Sequence, residues 1–342
     1  MLKEPSVWGW INFVEFLLSS PRHDHRMNGE GSATRSPAKV RARTVGPLYW
    51  LWLWVIDLVS LGWFALRTML PFAARPDIRI LVYHDIVDLV PEEDPLRIST
   101  PIALFEQQMR FLRHGGYCFL SVAEAAERLS SRDIPPRAVV VTFDDGHASF
   151  LETAAPILKR YEIPATLFVA VGCLGQTRLP WVPEKSHFSP PLQWEQLAAL
   201  SSSYAVEIGS HTMTHRALHA LSAAEQVMEI AASRRSLEER LKRPVHVFAY
   251  PFGGWDTFPS PLHDLLRRQG YRAACTNVMG ANRARANPMA LRRVRIGWCD
   301  TLWRFRLKLA GAYDWSDGLR RLVTCDRSGL DESAVMGKVR CT

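Results

Sequence analysis

From residue 78 onward, short apolar runs alternate with longer amphipathic stretches. Residues 78–83, 138–143 and 166–170 are compact runs with little polar interruption, as expected of strands buried on both faces. Residues 102–113, and those after 143 as far as about 160, have the spacing of helices. The alternation continues with a helix at 193–200, a short strand at 206–208 and a long helix at 223–241 bearing Glu and Arg on its outer face. A strand at 245–250, a helix at 261–269 and strands at 271–276 and 293–296 complete it. Strands alternating with helices of this size predict parallel βαβ units, hence an α/β sheet or barrel.

Residues 1–46 lack this periodicity. An aromatic-aliphatic run at 8–18 gives way to Pro21, Gly29, Gly31, Ser32, Ser36 and Pro37, and the segment carries seven Lys or Arg. Residues 47–66 read PLYWLWLWVIDLVSLGWFAL, with Asp57 the one charge. About twenty apolar residues match a bilayer core, and a carboxylate near the middle costs roughly 2.5–3.5 kcal/mol on insertion scales. The seven cations before this run, against Arg67, Arg75 and Arg79 after it, favour a membrane-associated helix with a cytoplasmic N-terminus, as in a single-pass protein of a bacterial inner membrane. A helix docked on the folded domain, as in a cytoplasmic protein, and a helix lying in the membrane interface are the alternatives. The expected organisation is a basic flexible segment (1–46), an apolar helix (47–72), a folded domain (73–300) and a basic amphipathic extension (301–342).

Composition narrows the classes. The chain has 342 residues, 47% hydrophobic and 22% charged, which excludes wholesale disorder, collagen-like repeats and coiled coils. Its net charge of +8 is concentrated, because residues 283–321 hold ten Arg or Lys and three Asp. No nucleic-acid motif accompanies this patch, so nucleic acid is not an expected partner. Within it, Arg304, Arg306 and Lys308 alternate with Trp303, Phe305, Leu307 and Leu309, either as a half-buried element with a cationic side or as a surface for anionic lipid. The six cysteines form neither a C-x-x-C pair nor a zinc-ribbon spacing.

Four short constellations follow strand ends. Asp144, Asp145 and Gly146 close the run AVVVTF; adjacent carboxylates at the end of a parallel strand suit a metal ligand beside a proton acceptor, although Asp-Gly also makes turns. His211 and His215 are spaced to project from one face of a helical turn, and with Asp145 they form a two-His, one-carboxylate set that leaves positions open for water and substrate. His84 ends the first strand, where a histidine is usually a hydrogen-bonded structural residue but could also protonate a leaving group; Asp85 either biases its pKa as a nearby anion or forms the turn. In AYPFGG, backbone N–H groups of a tight turn can face a developing oxyanion.

In this order, YHD, TFDDG, GSHTMTH and AYPFGG resemble the polysaccharide deacetylases of carbohydrate esterase family 4, and the chain is similar to the circularly permuted poly-N-acetylglucosamine deacetylases. The resemblance covers about residues 78–297. It implies a distorted (β/α) barrel of seven or eight strands, with Asp144 the general base, Asp145, His211 and His215 the metal ligands, His84 the general acid and the backbone around Tyr250 the oxyanion donor. It also implies a divalent ion, zinc foremost, and an N-acetylated glycan from envelope or exopolysaccharide synthesis as substrate. Many members carry an Arg where Ala249 stands; Arg292, Arg293 or Arg295 could replace it spatially, Arg293 being the favoured supporting residue. Trp181 and Trp194 offer sugar-stacking surface or packing. A non-glycan amidohydrolase and a non-catalytic, membrane-anchored glycan-binding protein are the competing readings, and the intact Asp144, Asp145, His211, His215 and His84 weigh against the latter.

Overall fold

The computed structural model describes residues 47–69 and 76–317, apart from 91–92, 184–185, 204 and 256. The N-terminal segment and everything beyond 317 lie outside the described residues. In chain order the helices are α1 (Pro47–Met69), α2 (Ile102–His114), α3 (Val122–Ser131), α4 (Ala155–Arg160), α5 (Trp194–Ser203), α6 (Ala223–Val227), α7 (Ser233–Leu241), α8 (Ser260–Arg268) and α9 (Leu302–Leu309). The strands are β1 (Asp77–Tyr83), β2 (Cys118–Leu120), β3 (Ala138–Phe143), β4 (Ala165–Val169), β5 (Val206–Ser210), β6 (Val247–Ala249), β7 (Ala273–Met279), β8 (Asn282–Arg283) and β9 (Leu291–Arg295).

Seven of these strands, all but β2 and β8, form a closed parallel barrel, with β1 pairing to β9 on one edge and to β3 on the other. The short β2 takes the N-terminal half of β3's far edge, at 138–140, and β4 takes the remainder, at 142–143. β8 is an antiparallel addition at the foot of β1.

Alternation along the strands sorts the core into two layers. Ile78, Ile80, Val140, Phe168, Val247, Ala249, Cys275 and Leu291 form one cluster inside the barrel, joined by Val122, Ala125 and Leu129 of α3. Leu81, Tyr83, Val141, Phe143, Leu167, Val169, Ile208, Phe248, Tyr250 and Val294 form the other, under the surrounding helices. Continued past the strand ends, the inward parity is that of His84, Asp144 and His211, and within β9 it is that of Arg293.

Several boundaries differ from those expected, each for a local reason. The strand at 245–250 shortens to β6 because the Val245 N–H donates to Glu238 Oε1 (2.9 Å) rather than to a ladder. β7 starts at Ala273 because the Tyr271 N–H instead donates to Leu266 O at the end of α8 (3.0 Å). The long helix at 223–241 is interrupted by a wide π turn at Met228–Ala232. β2 and α3 carry no strong sequence signal; α3 is started by a capping box between Ser121 and Glu124.

Helix α1 is two-faced. Asp57, the charge expected to be costly, accepts from Arg304 (2.8 Å) and from the Tyr313 hydroxyl, and Ser60 accepts from Trp315 Nε1 (3.1 Å). Ile56, Leu61 and Phe64 pack against Leu307, Ala312 and Tyr313. Leu51, Trp54, Val55, Leu58, Trp63 and Leu66 lie on the exposed side. Among the described residues no helix is long and apolar enough to cross a membrane. Arg79, counted above as a flanking cation, is buried and pairs with Asp314 (2.6 Å). In α9, Arg304 serves Asp57, Lys308 serves Asp300 (2.6 Å), and Arg306 lies over the Phe111 ring (5.5 Å). The cationic alternation is therefore that of a half-buried helix, two of whose three cations form ion pairs within the chain while the third lies over an aromatic ring.

Candidate metal and catalytic site

Asp144 and Asp145 follow β3, and Asp145 and Gly146 turn the chain through left-handed backbone (φ 72° and 81°). His211 and His215 follow β5, but not on a helical turn as their spacing suggested. Thr212 and His215 both have positive φ (68° and 60°), and the Thr212 hydroxyl accepts the His215 N–H at 2.9 Å. The loop folds both rings towards Asp145, whose Oδ1 lies 3.5 Å from His211 Nε2 and 3.4 Å from His215 Nε2. All three side chains are buried, and Asp145 Oδ1 has no hydrogen-bond partner among the described residues.

These residues fit a divalent cation, and one ligand atom from each lies within 4.8 Å of the others. His211 Nδ1 is engaged with Ala249 O at 2.8 Å, which leaves Nε2 to face the carboxylate. Burial brings the His215 pKa down to about 3 despite Asp145, so its ring is neutral and its lone pair available. Burial opposes the charge on Asp145, but His147, His215 and His84 outweigh it and hold the carboxyl well below the usual range.

Asp144 takes no part in that cluster. Its two oxygens accept Nη1 and Nη2 of Arg293 (2.7 Å each), a bidentate pair buried on both sides. Arg293 is itself fixed by Thr276 O through Nε and by Asn277 Oδ1 through Nη2, both at 2.7 Å. Burial pushes the Asp144 pKa up, but Arg293 and then His211 reverse this, and the group is ionised below the ordinary carboxylate value. Of the three arginines named for the place left by Ala249, Arg293 reaches Asp144. Arg292 lies over the Trp255 ring (5.1 Å), and Arg295 binds Asn277 O and Asp317 (3.1 and 3.2 Å). Asn277 also donates from its side chain to Phe252 O (3.1 Å), tying the Asp144–Arg293 pair to the loop after β6.

His84 sits at the mouth within the field of both carboxylates. Burial lowers its pKa, with Asp145 and Asp144 opposing. The hydrogen bonds of Asp85 lie elsewhere. Asp85 accepts the Ser149 hydroxyl and the Ser189 N–H (2.7 Å) and lies 3.8 Å from His147 Nδ1. His147, which no motif singled out, stands between two carboxylates, its Nε2 3.7 Å from Asp145 Oδ2 and its Nδ1 on Ser189 O (3.0 Å). Burial works against its protonation, but Asp85 and Asp145 push its pKa up to about 9. Its adjacency to the Asp-Asp-Gly turn was the available signal.

Three of the expected positions have partners within the chain. The Tyr250 N–H is spent on Cys275 O and its hydroxyl on Met289 O (3.0 Å each), because Tyr250 has the outward parity of Phe248 and belongs to the outer core. Phe252, two residues on, is left-handed (φ 63°) and places its ring 5.1 Å from that of His215. Trp181 stacks on His215 at 3.9 Å and 20°, so one of its faces is already covered. Trp194 carries Arg240 4.5 Å above its ring and packs against the outer core.

At the C-terminal mouth of the closed parallel barrel a carboxylate–bis-histidine group and an arginine-locked aspartate thus lie side by side, an arrangement suited to metal-assisted hydrolysis. The profile of the polysaccharide deacetylase family matches residues 131–274, and over this stretch the chain is similar to that family. Among curated proteins it is 28% identical over 218 residues to Bacillus subtilis YxkH, a polysaccharide deacetylase by inference, covering 64% of this chain and 70% of that one. It is 28% identical over 160 residues to a poly-beta-1,6-N-acetyl-D-glucosamine N-deacetylase of Staphylococcus aureus, and spans about half (52%) of that protein. Among solved structures it is similar to the Streptococcus pyogenes deacetylase PplD in complex with acetate (27% identity, TM-score 0.59, 68% of this chain and 99% of that one). It is similar also to IcaB from Ammonifex degensii (27%, TM-score 0.56, 69% and 97%).

Proposed function

We propose that this protein removes N-acetyl groups from amino sugars of a polysaccharide or lipid-linked glycan. The observation that carries the reading is the buried Asp144–Arg293 pair set beside the Asp145, His211 and His215 group. The names of the relatives support the substrate class. A divalent ion held by Asp145, His211 and His215, zinc foremost, would polarise the acetamide carbonyl and favour ionisation of the attacking water. Asp144, kept ionised and oriented by Arg293, accepts the proton of that water as it attacks. His84 delivers a proton to the departing amine, so that acetate and a free amino sugar leave. The Trp181 and Phe252 rings beside His215 line the approach and help exclude bulk water.

The outward apolar side of α1, with Trp54 and Trp63, supports association with a membrane surface, the inward side being taken by Arg304 and Tyr313. Flotation of the full chain with vesicles of bacterial phospholipid would show it; protein that stays at the bottom of the gradient would refute it.

The activity test is acetate release from N-acetylglucosamine oligomers by metal-loaded protein, compared with Asp144→Asn. Release abolished by chelation and by Asp144→Asn, and restored to the wild type by zinc, is expected. Equal release from Asp144→Asn would refute the assigned base, and hydrolysis confined to non-glycan acetamides would refute the substrate class.

A further inference from the structure

Glu229 lies outside every motif considered so far, yet it holds the loop that carries both histidines. It is buried, in the π turn Met228–Ala232, while on the flanking helical segments Glu225 is half-buried and Glu239 exposed. A π turn inserts an extra residue into a helix, and such turns gather at functional sites. Glu229 Oε2 accepts the backbone N–H groups of Met213 (2.9 Å) and Thr214 (2.8 Å), and its Oε1 accepts the Thr214 hydroxyl. Met213 and Thr214 are part of the short link between His211 and His215. That link is strained at both ends, because Thr212 and His215 are left-handed and Thr212 is β-branched. Elsewhere the loop is pinned by Val171 N–H on Thr212 O (3.1 Å) and Gly172 N–H on Met213 O (2.7 Å), so carbonyls are tied on one side and amides on the other. Only the amide side depends on a carboxylate.

We propose that Glu229 is a positioning residue for the metal ligands: by gripping Met213 and Thr214 it sets the separation and aim of the His211 and His215 rings. The inference rests on the metal reading of that pair. It acts through backbone placement, as supporting partners of metal ligands commonly do, and substitution of such partners typically weakens metal binding about 10–100-fold.

The test is titration of the metal-stripped full chain with cobalt(II), read by its visible d–d absorption, for the wild type, Glu229→Ala and Glu229→Gln. Glu229→Ala is expected to bind cobalt about 10–100-fold more weakly with an altered spectrum, at unchanged far-ultraviolet circular dichroism. Glu229→Gln keeps an oxygen that can accept both amides and is expected to recover most of the affinity and the wild-type spectrum. A folded Glu229→Ala that binds cobalt like the wild type overturns the proposal, and so does Glu229→Gln behaving like Glu229→Ala. If Glu229→Ala does not fold, Glu229→Asp decides: one methylene shorter, it cannot reach both amides without drawing in the loop, and wild-type binding by it overturns the proposal. A wild type that takes up no cobalt removes the metal reading itself, an outcome distinct from the others.

Discussion

Asp144 is a buried carboxylate whose charge is sustained by one guanidinium, and Arg293 is a buried guanidinium held by that carboxylate and by neutral oxygens. Neither is tolerable alone, since breaking such a pair typically costs about 3–5 kcal/mol. Arg293→Met should therefore destabilise the barrel by about that amount in urea unfolding. Arg293→Lys keeps the charge but loses the planar fork, and should lower kcat about 10²-fold by misplacing the base while changing KM little. Acetate-release kinetics would check this; an unchanged kcat would show that Arg293 does not orient Asp144. Glu207 gives a cleaner pH signature. Burial raises its carboxyl, against the opposing bonds from Thr166 (2.7 Å) and the Val122 and Ala123 amides. A raised folded pKa means that the protonated form favours the fold. The contribution is complete below the unfolded value near ~4.3 and is lost as pH rises through the folded value. Glu207→Gln should thus gain stability relative to the wild type between pH 4 and pH 7; parallel urea midpoints would contradict this.

At the scale of elements, strand parity does most to assemble the site. His84, Asp144, His211 and Arg293 come from four strands or strand ends and share the inward direction because each continues an alternation that buries Ile80, Val140, Gly209 or Leu291 inside the barrel. Gly209 is part of this device. A Cβ there would stand 2.5 Å from the Phe168 ring and 2.9 Å from Val247 Cγ2, so β5 can pass close to its neighbours only without a side chain. Gly209→Ala should cost about 1–3 kcal/mol of stability and shift His211. Thermal unfolding and cobalt affinity measured together would check it, and wild-type values in both would mean that β5 can move aside. The histidine spacing was legible in the sequence, but a helical reading of it failed. Left-handed Thr212 and His215 are held by bonds from the Val171–Gly172 turn and from Glu229, partners that lie many residues away and leave no trace in local periodicity.

At the scale of the molecule, the first and last described segments are tied to one another. Asp57 of α1 receives Arg304 and Tyr313, and Ser60 receives Trp315. A charge that looked like an obstacle to membrane insertion is thus the hydrogen-bonding centre of a docked helix. Asp57→Ala should destabilise this contact by about 1–3 kcal/mol and speed proteolytic cleavage in the α1 region. A cleavage rate equal to that of the wild type would show that the apolar contacts of Ile56, Leu61 and Phe64 suffice.

The sequence by itself determined the alternation of strands and helices, the α/β class, and the Asp144-Asp145 and His211/His215 groups, because these are encoded by neighbours within a few residues; the choice of a barrel over an open sheet came only from the resemblance of the motifs. Arg293 could be named as a supporting residue but not placed on Asp144, since the two are separated by 149 positions and meet through barrel closure. The turning of Asp85 to His147, the use of the Tyr250 N–H by β7, the stacking of Trp181 on His215 and the grip of Glu229 were decided by tertiary structure alone. The physical reason is common to all four. A polar group or ring buried by packing must satisfy itself with whatever the fold brings within reach, and for a barrel those partners come from distant strands and loops.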